Sequence, residues 1–176
     1  MFSVISNSLS ASISRFITFE LGKGNIDRLK KIFATSVSIQ IGLSMLVVIA
    51  AESVGLWFVN YKMVISPDRL DAANWVYQFT IFTFVVNLIS VPYNAAIIAH
   101  EKMSAFAYIS IIDALGRLGV ASLVLISPID NLIFYGSLSA LLAVLIRCLY
   151  GYYCKNNFEE CNFKYSFDKL LFKEMF

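Results

Sequence analysis

Charge is scarce in this sequence of 176 residues: 14 Lys and Arg against 12 Asp and Glu, 15% in all, with a net charge of +2. An ordinary domain in water carries about 25% charged residues, so enzyme folds with a charged surface and disordered tails are excluded first. No run of like charge exceeds Lys30-Lys31, and nucleic acid is not an expected partner. There is one histidine, His100, and no glycine cluster ends in Lys-Ser or Lys-Thr. Hydrolase, kinase, Rossmann, zinc-protease and P-loop patterns are therefore missing, and neither a catalytic residue nor a cofactor is expected. The three cysteines, Cys148, Cys154 and Cys161, are too widely spaced for a zinc knuckle, so no metal is expected and the thiols read as inert. Met1 to Glu20 lacks a basic leader, and serines at 3, 6, 8, 10, 12 and 14 break its apolar residues. It does not read as a cleaved signal peptide.

What the sequence has instead is apolar bulk. Hydrophobic residues make up 59% of it and the mean hydropathy is +0.72, a composition for a bilayer. A crossing needs about 20 mainly apolar residues, and four windows qualify, over about 32–59, 72–99, 103–127 and 132–154. Turn signals separate them. Ser66-Pro67-Asp68 offers an N-cap, a proline at the first helical position and an acid in the first turn. His100-Glu101-Lys102 and Ser127-Pro128-Ile129-Asp130-Asn131 are compact turns. A β-barrel is excluded because Ile41 to Ala51 and Ile81 to Ile89 are apolar on both strand faces; only the Ser6 to Ser14 alternation has strand period.

At the ends, about 4–21 reads as a partial helix that breaks at Gly22-Lys23-Gly24, short for a full crossing, and 155–176 as a cytoplasmic amphipathic tail. The expected fold is an all-α integral membrane bundle of four full transmembrane helices plus a partial N-terminal helix. Residues 1–176 then form a single membrane domain, a fragment at both ends.

Basic loops stay cytoplasmic. Lys23, Arg28, Lys30, Lys31, Lys102, Lys155, Lys164, Lys169 and Lys173 fall on one side, nine against Lys62 and Arg69 on the other. Both ends of the ordered part are thus expected to face the cytoplasm. Trp57, Tyr61, Trp75, Tyr77, Tyr150, Tyr152 and Tyr153 sit where interfacial aromatics belong.

The most informative pattern is polar. Thr80, Thr83, Asn87, Ser90 and Asn94 stand at offsets 0, 3, 7, 10 and 14, one helical face in a segment where lipid would favour Leu or Val. That face either hydrogen-bonds to a neighbouring helix or walls a polar cavity. Pro92 removes a backbone donor and permits a kink, which makes it a gating candidate. Asp113 and Arg117 are four apart with the acid first, the favourable order for a pair; either they neutralise each other or Arg117 faces a cavity and attracts an anionic head group. Arg147 and Arg15 are each either snorkelling side chains or phosphate contacts. Glu52 is expected to reach the interface. Ala34, Ser38 and Gly42, Ser110 and Ala114, and Gly136 and Ala140 have helix-packing spacing.

Several stretches resemble a known family. The run from Ser14 to Gly24, Lys30 to Ser36, Ala73 to Phe79, Val91 to Ala95 and Phe172 to Met175 resemble the polysaccharide flippases of the MOP superfamily, which also includes the MATE multidrug exporters. The resemblance covers essentially the whole chain. It implies a parent of twelve to fourteen helices in two lobes, with this chain supplying the end of helix two and helices three to six of the first lobe. It further implies a bacterial inner-membrane location and transfer of undecaprenyl-diphosphate-linked oligosaccharide from the cytoplasmic to the periplasmic leaflet. Membrane lipid, that lipid-linked oligosaccharide and the remaining helices of the parent are the implied partners. The alternatives are a stand-alone four-helix assembly or scaffold subunit and a fragment of a MATE-type drug or cation antiporter. The family has no universal substrate signature to carry across, so Arg15, Thr80, Thr83, Asn87, Ser90, Asn94, Asp113, Arg117 and Arg147 rest on the physical argument alone.

Overall fold

A computed structural model of the protein describes residues 2–62, 69–126 and 130–161. Among these residues there is no strand. The order is α1 (Phe2–Lys23), α2 (Ile26–Ala50), a π turn (Ala51–Gly55), α3 (Leu56–Tyr61), α4 (Leu70–Ala99), α5 (Met103–Ile126), α6 (Asn131–Asn157) and a 3-10 turn (Glu159–Cys161). From α2 through α3 the chain forms one rod, Ile26–Tyr61, of 36 residues. With α4, α5 and α6, of 30, 24 and 27 residues, it makes four helices long and apolar enough to cross a membrane.

Helix ends depart from the apolar windows because capping, not hydropathy, sets them. The rod begins at Ile26, ahead of the apolar window at 32, since the Asn25 side chain accepts the Arg28 backbone N–H at 3.1 Å and Asp27 lies in the first turn. Asp130 caps α6 in the same way, accepting the Leu132 N–H at 3.2 Å. Between α4 and α5 the chain reverses through Glu101, whose φ of 54° is left-handed. The N–H groups of Glu101 and Lys102 donate to the carbonyls of Ile98 and Ile97. The helix over 4–21 extends to 22 residues, about 33 Å at 1.5 Å per residue. It is therefore long enough to cross, while its serines leave it outside the set of apolar spans. The Ser6 to Ser14 alternation lies inside it. Ser66-Pro67-Asp68, residues 127–129 and the tail from 162 fall outside the described residues.

The central helix is α4, which packs on α6, α1 and α2; α5 rests mainly on α6 and touches α4 little. The buried core lies toward one end of the bundle. It joins Ile13 and Ile17 of α1, Ile32, Phe33 and Val37 of α2, Val91 and Ala95 of α4, and Tyr150 and Cys154 of α6. Arg28 reaches the buried Glu20 at 3.5 Å and ties α2 to α1.

Small residues act where they meet a partner. Gly136 and Ala140 are buried, and a β-carbon on Gly136 would lie 3.2 Å from the Phe79 ring, so their spacing brings α6 close to α4. Gly42 has nothing within 4 Å of such a carbon, and Ser110 and Ala114 are exposed. The first repeat thus packs at its buried Ala34 end and not at Gly42, and the second forms no seam. Trp57, Tyr61, Trp75 and Tyr152 are at the surface. Tyr77 and Tyr150, grouped with them by position, instead turn inward: Tyr77 hydrogen-bonds to the π turn and Tyr150 is buried.

Candidate functional site

The weak contact between α5 and α4 leaves a cavity of about 610 Å³ bounded by α4, α5 and α6. Each helix contributes one face at helical spacing. From α4 come Thr80, Thr83, Asn87, Ser90 and Asn94, all five residues of the polar stripe. From α5 come Ser110, Asp113, Arg117 and Val120, and from α6 Gly136, Ser139, Ala143, Ile146 and Tyr150. Val91 and Tyr150 belong both to this lining and to the core.

The stripe does not serve to tie helices together. Thr80 and Ser90 hydroxyls donate to the carbonyls one turn back, those of Val76 and Val86, each at 2.8 Å. Among the described residues, none of the five stripe side chains hydrogen-bonds to another helix. Asn94 Oδ1 is buried without a hydrogen-bond partner, an unsatisfied acceptor on a residue of the cavity wall. A buried unpartnered polar group costs about 1–3 kcal/mol.

Asp113 and Arg117 both line the cavity and also pair: Arg117 Nε donates to both carboxylate oxygens at 3.1 Å. Arg117 thus faces the cavity while its charge is matched by an acid of its own helix. Among the lining residues these are the sole formal charges. The remaining candidates lie elsewhere. Arg147 stands with its guanidinium 3.8 Å from the centre of the Tyr93 ring, and Arg15 is exposed on α1; neither lines the cavity. Pro92 is wholly buried inside a continuous α4, two residues and so roughly 200° from Ser90 and from Asn94. It sits on the opposite side of the helix from the cavity.

Sequence reasoning passed over the α6 face and Ser110. Gly136, Ser139, Ala143, Ile146 and Tyr150 repeat the offsets of the α4 stripe, but only one is a small polar residue, so the pattern carried no polar signal. Ser110 lies one turn before Asp113 and was readable only as a packing residue. A second cluster closes the core end of the bundle: His100 pairs with Glu160 and stacks on Phe158 with ring centres 4.1 Å apart. Three or more His, Cys, Asp or Glu side chains do not come together as a metal site among the described residues.

The MatE family model matches residues 1–117, a stretch that ends on Arg117 and includes the whole α4 stripe. No curated protein and no solved structure matches the chain. The match extends over more than half of the sequence and falls on membrane-length helices that enclose a polar cavity, so the chain belongs to the MatE family of multi-pass membrane transporters.

Proposed function

We propose that this chain is part of a transporter that flips lipid-linked oligosaccharide across the bacterial inner membrane, from the cytoplasmic to the periplasmic leaflet, for polysaccharide or lipopolysaccharide synthesis. The carrying observation is the α4 stripe: five uncharged polar side chains open onto one cavity in a helix apolar enough for lipid. Hydroxyl and amide groups in that density suit a polyhydroxylated cargo, and the cost of polar groups in hydrocarbon argues for a cavity that holds water or cargo. The excess of basic residues in the loops with Lys23, Arg28, Lys30, Lys31 and Lys102 favours the cytoplasmic side for them. The remaining helices of the parent would complete the path, with undecaprenyl diphosphate as the lipid carrier.

The test is export. In the native transporter, Asn87→Leu and Arg117→Leu should lower polymer export while membrane abundance stays unchanged. Normal export in both would remove these residues from the path. An antibody against residues 156–176 would report the native product's mass, and a band well above 19.8 kDa is expected for a two-lobe parent.

The family match equally favours a drug or cation antiporter. Such a site needs an acid free to hold a cation, and Asp113, the acid of this cavity, is held by Arg117. Uptake of an organic cation into vesicles, driven by a proton or sodium gradient, would support that reading over the flippase.

A further inference from the structure

We infer that the cavity between α4, α5 and α6 is a subsite for the uncharged saccharide part of the cargo and turns away its diphosphate. This rests on the flippase reading and names what the site itself binds.

Charge is the first argument. The lining carries one cation and one anion, and Arg117 Nε is committed to both oxygens of Asp113. An entering anion meets no net positive charge. An anion that reaches the outer Nη groups of the guanidinium has the Asp113 carboxylate beside it as a like charge. The other arginines of the helices offer no substitute, since Arg147 is held over Tyr93, Arg28 pairs with Glu20 and Arg15 is exposed on α1.

Hydrogen-bond polarity is the second, independent argument. Asn94 belongs to the lining, and its Oδ1 is buried and lacks a partner; what that oxygen needs is a donor, which a turn of the side chain toward the cavity would let a ligand supply. An ionised diphosphate diester has only acceptors, so it would leave that oxygen unsatisfied and add repulsion. A sugar hydroxyl both donates and accepts. One hydroxyl can donate to Asn94 Oδ1 while another of the same saccharide accepts from the side-chain amide of Asn87, about 10 Å further along the helix, whose exposed position gives it room to turn. Tyr135 and Tyr150 add aromatic rings to the same wall, whose negative π-clouds favour the weakly positive C–H edges of a pyranose ring.

The experiment places the chain in lipid nanodiscs and follows two probes by saturation-transfer NMR: maltotriose as a neutral saccharide and inorganic pyrophosphate. The wild type should bind maltotriose, pyrophosphate should not compete for it, and Asn94→Leu should weaken maltotriose at least tenfold. Asp113→Asn uncovers Arg117 and should gain pyrophosphate binding, a gain that a misfolded variant cannot produce. Competition by pyrophosphate in the wild type overturns the inference, as does maltotriose that fails to bind or binds Asn94→Leu unchanged. Absence of the gain in Asp113→Asn also overturns it. The flippase reading fails separately, through normal export in Asn87→Leu and Arg117→Leu, and that result leaves the probe preferences of the cavity intact.

Discussion

The Tyr77 hydroxyl of α4 donates to the Ala51 carbonyl at 2.8 Å. Ala51 opens the π turn, and the same carbonyl accepts the Leu56 N–H, the longer-range bond that widens the helix there. Tyr77 fits because Gly55, at the end of the turn, has no side chain: a β-carbon at that position would overlap the tyrosine hydroxyl. Gln78 reaches Glu52 at 3.3 Å and Asn60 and Asn74 exchange amide hydrogen bonds, so α4 is laced to the rod at the turn and in α3 beyond it. Glu52, read from sequence as an interfacial residue, is part of this lacing.

Gly55→Ala should therefore displace Tyr77 and cost about 1–3 kcal/mol, the range for overpacking. Tyr77→Phe, which removes only the hydroxyl, should cost about 0.5–1.5 kcal/mol. In the double variant the two costs should fall short of their sum, because both act on one contact. Thermal unfolding in detergent measures all three, and strict additivity would show that the two residues act independently.

The pair of Asp113 and Arg117 should matter little for stability. The arginine side chain is 68% exposed, and helix pairs at this spacing contribute about 0.3–0.5 kcal/mol. A double-mutant cycle with Asp113→Asn and Arg117→Gln should give a coupling below about 1 kcal/mol by thermal unfolding. A value of several kcal/mol would make the pair a structural element of the bundle.

His100 is tied to Glu160, whose side chain is 4% exposed. Glu160→Ala removes the partner of the imidazole at a buried site and should destabilise the chain by about 1–3 kcal/mol. Phe158→Ala takes away the stacked ring and should cost about 3–5 kcal/mol as a large-to-small change at a 5% exposed position. Unfolding midpoints of the two variants check this order, and equal stability to wild type in either would contradict it.

Cys161 predicts a dependence on pH. The neighbouring Cys154 thiol, first, and burial, second, push its pKa up from the ordinary 9.0. The folded chain thus keeps a proton that the unfolded chain releases above about pH 9. Stability from this group is complete below that pH and declines as pH rises past it. Replacing Cys161 with Ala should flatten that alkaline decline in melting temperature, and alkylation of Cys161 by iodoacetamide at pH 8 should be slow until the chain unfolds.

The four apolar spans, the turn at His100-Glu101-Lys102, the α4 stripe and the spacing of Asp113 and Arg117 were legible in the sequence, because each depends on local sequence pattern and on the cost of polar groups in lipid. Tertiary packing decided the rest. Whether the stripe meets a neighbour or open space depends on how far α5 stands from α4, and α5 rests mainly on α6. Tyr77 and Tyr150 carry the same local signal as Trp57 and Trp75, yet they turn inward because a π turn and a cavity wall receive them. Arg147 meets Tyr93 across two helices, a relation no single-helix pattern contains. Periodicity determines which residues share a face; the separation of the helices determines what that face meets.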